Sequence, residues 1–208
     1  MVDEQKKRRR FYTWSASIIL GLLLAILLLL LWLYFNQAVT DTNPMPLPAV
    51  ALPEAELRQL QQRVDSFRAA VRAHRSVPPL ALTSDEVNAL LATDPDGEPL
   101  KDHFYVTLQG NEAKAQFSFP TAQIGLEKGR FLNGSGTFSV GLRNEILRLN
   151  GKNLIVKRHS LPKVIAQHFE NKNLAEAINA NPRARAAFKT LESIEVKDGK
   201  LVITPKKQ

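Results

Sequence analysis

Four histidines, His74, His103, His159 and His168, are the first groups to test for acid–base or metal chemistry. None pairs with another histidine at i, i+4 around a glutamate, the spacing that sets two zinc ligands beside a general base on one helical face. His168, before Phe169, is the best placed, and as an isolated histidine in a helical segment it reads as structural. The chain has no Gly-x-Ser-x-Gly elbow, no Gly-rich phosphate loop ending in Lys-Ser or Lys-Thr, and no dinucleotide fingerprint. Gly134-Ser135-Gly136 precedes a strand rather than a helix, which suits a flexible strand entry or a bulge. Asp94, Asp96, Glu98 and Asp102 gather oxygen ligands around Gly97, as a calcium site requires. The Asp-x-Asp-x-Asp-Gly order is missing, however, and Pro95 and Pro99 suit a surface turn. Asn133-Gly134-Ser135 fits the glycosylation sequon, which matters only in a host that glycosylates exported proteins.

There is no cysteine, which excludes disulfides, thiolate metal sites and Cys nucleophiles. That composition fits a bacterial exported domain better than a eukaryotic cell-surface one. The inventory supplies no catalytic residue, no metal set and no cofactor motif, and the chain reads as non-enzymatic. An enzyme would need His159 or His168 beside a carboxylate in a cleft.

The element that positions everything else is an apolar, charge-free run from Ile18 to Phe35. About 18 or more such residues suffice to cross a hydrocarbon core about 30 Å thick. Residues 11–35 are therefore expected to form a transmembrane helix. Ile18, Leu22 and Leu29 would face lipid, with Trp14 at one interface and Trp32 and Tyr34 at the other. A cleaved signal peptide would have a shorter apolar region followed by small residues, whereas Trp32, Tyr34 and Phe35 crowd this exit. Lys6, Lys7, Arg8, Arg9 and Arg10 directly precede the run, which keeps residues 1–10 cytoplasmic and sends the rest across the cell membrane.

The net charge of +8 invites a nucleic-acid reading. The five basic residues, less Asp3 and Glu4, account for +3, and the remaining +5 is scattered among 18 acidic residues. That is a mixed solvated surface rather than a phosphate-binding stripe, and no nucleic-acid partner is expected.

Residues 36–53, with Pro44, Pro46, Pro48 and Pro53, read as an extended linker holding the domain off the bilayer. Residues 54–208 then read as one α+β domain. From Glu54 to about Arg75, the residues Leu57, Leu60, Val64, Phe67 and Val71 recur at helical steps of three and four. This stripe either packs on the sheet of its own domain or forms a dimer seam. Pro78 and Pro79 end the helix. Thr83 with Glu86 then forms a capping box for a second helix carrying Val87, Leu90 and Leu91.

Strands follow. Phe104, Val106 and Leu108 lead through Gly110-Asn111 into Ala113, Ala115, Phe117 and Phe119. Their alternation with polar residues indicates an antiparallel sheet with one covered face. Phe138, Val140 and Leu142 make another strand, and Asn150-Gly151 reads as a hairpin turn between 146–149 and 154–156. Helical segments are expected over 161–169, 173–180 and 182–190. A last hairpin turns at Asp198-Gly199. The fold class is α+β: an N-terminal transmembrane helix, then an antiparallel sheet of about six or seven strands with helices packed on one face.

Leu82-Thr83-Ser84-Asp85-Glu86-Val87-Asn88-Ala89-Leu90-Leu91, then Leu161-Pro162, then Ile194-Glu195-Val196 with Leu201-Val202-Ile203, resemble the order of motifs in small bacterial single-pass membrane proteins of the YpmS type. The likeness spans about Leu80 to Pro205 and implies a role in the cell envelope, with no particular reaction.

Two non-enzymatic functions follow. A protein-interaction or assembly module, for an envelope partner or a second copy, would use the Leu57–Val71 stripe as its interface and leave Leu57, Leu60, Val64 and Phe67 partly exposed. A lipid-binding domain would hold its ligand between sheet and helices, with Phe117, Phe119, Phe138, Val140 and Leu142 as lining or, in the plainer alternative, as filled core.

Overall fold

The Leu57–Val71 stripe folds as a helix, α1, over Glu54–Arg72. The computed structural model describes residues 39–50, 52–93, 101–124, 128–157, 159–160, 167 and 172–207. The basic cluster at 6–10, the apolar run, the acidic turn around Gly97, Leu161-Pro162 and His168 lie outside these residues. Among the described residues no helix is long and apolar enough to cross a membrane.

After α1 come β1 (Leu80–Leu82), α2 (Ser84–Thr93), β2 (Phe104–Gln109), β3 (Glu112–Pro120), β4 (Phe131–Arg143), β5 (Ile146–Val156) and β6 (His159–Ser160). Two short helices, α3 (Glu176–Ala180) and α4 (Pro182–Phe188), lead into β7 (Leu191–Lys197) and β8 (Lys200–Pro205). The fold is α+β around an antiparallel sheet of eight strands. The count exceeds the expected six or seven because β1 and β6 are too short to show periodicity.

The sheet forks at β4. One edge of β4 pairs with β5, while the other serves β3 along its first part and β7 at Gly141. The two hairpins that share this edge, β2–β3 and β7–β8, meet where Gly199 N–H donates to the Gly110 carbonyl at 2.9 Å. Both turns fall where Gly110-Asn111 and Asp198-Gly199 predict them, with φ of 57° at Gly110 and 72° at Gly199.

Asn150-Gly151 is not a turn. β5 runs through it unbroken, with Asn150 opposite Ser139 and Gly151 opposite Phe138. The hairpin turns instead at Asn144-Glu145, both at positive φ. Gly151 packs among Phe138, Leu154 and Leu174, where a Cβ would stand in ordinary contact at 3.4 Å. Gly136 lies inside the irregular register between Ser135 and Thr137, with Gly134 just before it, in line with a bulge there.

The compact unit runs from Asp41 to Gln208, so Pro44, Pro46, Pro48 and Pro53 belong to the folded domain rather than to a spacer before it. Asp41 pairs with Phe131 through two backbone bonds of 2.8 Å. Asn133 in β4 then holds the strap that follows. Its Nδ2 donates to Asp41 Oδ2 at 3.0 Å and to the Asn43 carbonyl at 2.8 Å. Its Oδ1 accepts from Met45 N–H at 3.1 Å and from Ser118 Oγ at 2.8 Å. Both donors and both lone pairs of the amide are thereby used. Asn133 is 8% exposed, so the sequon amide is closed to a glycosyltransferase in the folded protein.

Candidate ligand crevice

Two apolar clusters share the interior. In the first, Leu60, Val64, Phe67 and Val71 of α1 pack with Leu80 and Leu82 of β1 and Ala89 of α2, and Leu57 packs half-buried against them. These four α1 side chains are 2–9% exposed, so the stripe is core of its own domain and does not offer the partly exposed docking face expected of an interaction module. The second cluster joins Val106, Leu108, Ala113, Ala115, Phe138 and Val196, with Val140 packed against it.

The sheet residues expected to line a ligand cavity divide. Phe138 and Leu142 are buried core, and Val140 is half-buried beside them. Phe117 and Phe119 lie half-buried toward the end of β3, their rings 6.1 Å apart, with His103 5.8 Å from Phe119. Phe117 also fills the space above Gly134, where an added Cβ would come within 2.7 Å of the Ile155 carbonyl. None of these five lines the crevice described next.

That crevice, of about 550 Å³, opens between α1 and α4. Leu80 and Leu82 of β1, Leu191 of β7 and Ile203 of β8 line it from the sheet. Val64, Phe67 and Val71 contribute from α1, Leu90 from α2, and Ala186 and Ala187 from α4. Thr190 and three guanidinium side chains, Arg68, Arg72 and Arg183, complete the lining, and all three arginines are exposed. Arg68 lies 3.9 Å from Asp65, one helical turn back. Among the described residues no carboxylate lies within ion-pair distance of Arg72 or Arg183.

Local sequence explains how α4 reaches this position. Asn181 caps it, its Oδ1 accepting from Arg183 N–H at 2.9 Å and Ala184 N–H at 3.4 Å, and Pro182 stands in the first turn. Phe188, 7% exposed, seats the helix in the core. The chain puts alanine at 186 and 187, where larger side chains would fill the gap. Sequence reasoning found this helix but not its role, because alanines at helical positions carry no signal of the space they leave open.

The opposite end of α1's neighbour is held by charge. The capping box closes as predicted, with Thr83 N–H donating to Glu86 Oε2 at 2.8 Å and Glu86 N–H to Thr83 Oγ1 at 3.3 Å. Arg63 of α1 reaches Glu86 Oε1 at 2.7 Å, tying α1 to α2. Burial of Glu86 pushes its pKa up, but the Thr83 N–H and the Arg63 guanidinium outweigh it and hold the carboxyl below its ordinary value.

Among the described residues no three His, Cys, Asp or Glu side chains gather as a metal site. The geometry offers an apolar recess with a cationic mouth, suited to non-covalent binding of an amphiphile. No known protein family, curated protein or solved structure matches this chain.

Proposed function

We propose that this is a membrane-anchored, non-enzymatic envelope protein whose outer domain takes up the apolar chain of a lipid in the crevice between α1 and α4. In this reading residues 11–35 span the cell membrane, residues 1–10 stay cytoplasmic and the domain from Asp41 onward lies outside. The observation that carries it is the apolar recess of about 550 Å³, within the roughly 300–1,000 Å³ common for small-molecule sites. Burial of the α1 stripe counts against a protein-interaction module using that stripe.

The test is native mass spectrometry of the full chain extracted from membranes in a neutral detergent. A lipid adduct that survives extraction is expected, and it should disappear in Ala187→Trp, which fills the recess. Removing the lipid should lower the melting temperature of the wild type and leave that of the filled variant unchanged. Bare protein in both samples, with no response of melting to added lipid, would end the proposal.

A further inference from the structure

We infer that Arg72 and Arg183 make the crevice selective for an anionic phospholipid, by holding its phosphate at the mouth while the acyl chain occupies the recess. This rests on the lipid-binding reading above and adds the class of headgroup. The recess is lined by aliphatic and aromatic side chains from α1, α2, α4 and three strands, with Thr190 as its one uncharged polar residue, and charge enters the lining only as arginine. Two of these guanidiniums, on helices more than a hundred residues apart in sequence, converge on one opening with no carboxylate partner among the described residues. Their planar donor forks match phosphate oxygens bidentately, which a lysine at either place would not do. Arg68 lines the same opening, its charge balanced by Asp65 at 3.9 Å. Placed at the rim, the arginines keep the headgroup in water and so avoid desolvating a charge. A zwitterionic choline headgroup brings its own cation to this opening and is disfavoured by like-charge repulsion.

The experiment uses the full chain in neutral detergent with equimolar phosphatidylglycerol and phosphatidylcholine of the same acyl composition, and counts bound lipid by native mass spectrometry. Wild type is expected to retain phosphatidylglycerol about tenfold over phosphatidylcholine. The double variant Arg72→Gln, Arg183→Gln should fall to near parity while still binding phosphatidylcholine. Ala187→Trp should lose both lipids. The cluster Lys6–Arg10 is unchanged in every variant, so its own attraction for anionic lipid is common to all of them. A tenfold preference that survives in the double variant overturns the arginine clamp and leaves the crevice standing. So does parity in the wild type. Undiminished binding by Ala187→Trp overturns the crevice itself. Reversion of a single arginine, giving an intermediate preference, guards against a double variant that merely misfolds.

Discussion

The side-chain amide of Asn88 forms a closed two-bond pair with the backbone of Val106. Its Nδ2 donates to the Val106 carbonyl at 2.7 Å, and Val106 N–H donates to its Oδ1 at 2.8 Å. A helical side chain thereby does what a neighbouring strand would do for the outer edge of β2. Ser84 extends the seal, accepting from Leu108 N–H at 2.8 Å. The Ser84–Asn88 spacing of one helical turn thus serves two alternate residues of the strand, and it explains the Thr-Ser-x-x-Val-Asn-Ala-Leu run as edge protection rather than as a binding motif.

Replacing Asn88 with Ala strands the N–H and carbonyl of Val106 in a site where Asn88 itself is 2% exposed. Each buried unsatisfied group costs about 1–3 kcal/mol, so a loss of about 2–4 kcal/mol is expected. Urea unfolding measures it. A loss under about 0.5 kcal/mol would show that water replaces the amide and that the seal is not structural.

The outer edge of β5 is closed in the same way. Asn179 Oδ1 accepts from Leu147 N–H at 3.0 Å, and Asn173 Oδ1 accepts from Leu149 N–H at 2.9 Å. Both asparagines also donate to the Leu147 carbonyl at 2.8 Å. The double variant Asn173→Ala, Asn179→Ala should speed amide exchange at Leu147 and Leu149 and promote concentration-dependent association through the bared edge. Unchanged exchange at these two amides would refute the seal.

Asn133 is the tie between the strap and the sheet. Asn133→Ala should cost about 2–3 kcal/mol and expose the 41–48 segment to protease, because four hydrogen bonds meet on this one amide. Limited proteolysis followed by mass mapping reads this directly. If the wild-type strap is cleaved as fast as the variant's, the tie does not hold it.

The Glu86 link between α1 and α2 has a pH signature. Its folded pKa lies below the ordinary carboxyl value of 4.5, so its contribution is present above that value and is lost as pH falls through the folded pKa. Glu86→Ala should therefore cost about 1 kcal/mol at pH 7. The gap to wild type should narrow once the carboxyl is protonated, below pH 4.5. Urea midpoints of both proteins at pH 7 and pH 3 give the comparison, and an equal gap at both would place the effect in packing alone.

Features governed by near neighbours in the chain were legible without coordinates. The α1 stripe, the Thr83–Glu86 box, the helix beginning at Pro182 and the two glycine turns each depend on a few consecutive residues, and each appears where the pattern puts it. Asn150-Gly151 shows the limit of the same reasoning. The dipeptide permits a turn, but pairing with Ser139 and Phe138 holds it in a strand, and the reversal moves to Asn144-Glu145.

By itself, the sequence determined the α+β class, the apolar stripe of α1, the hairpin turns at Gly110-Asn111 and Asp198-Gly199 and the lack of cysteine chemistry, because side-chain periodicity and turn propensity are local properties. Tertiary structure alone decided that Pro44, Pro46 and Pro48 lie in a strap held by Asn133, and that the α1 stripe is core. It alone decided that asparagines close the outer edges of β2 and β5 and that alanines 186 and 187 leave a recess beneath Arg72 and Arg183. Each of these depends on residues tens of positions apart meeting in space. An asparagine or an alanine carries the same local signature whether it faces water, a strand edge or an empty crevice.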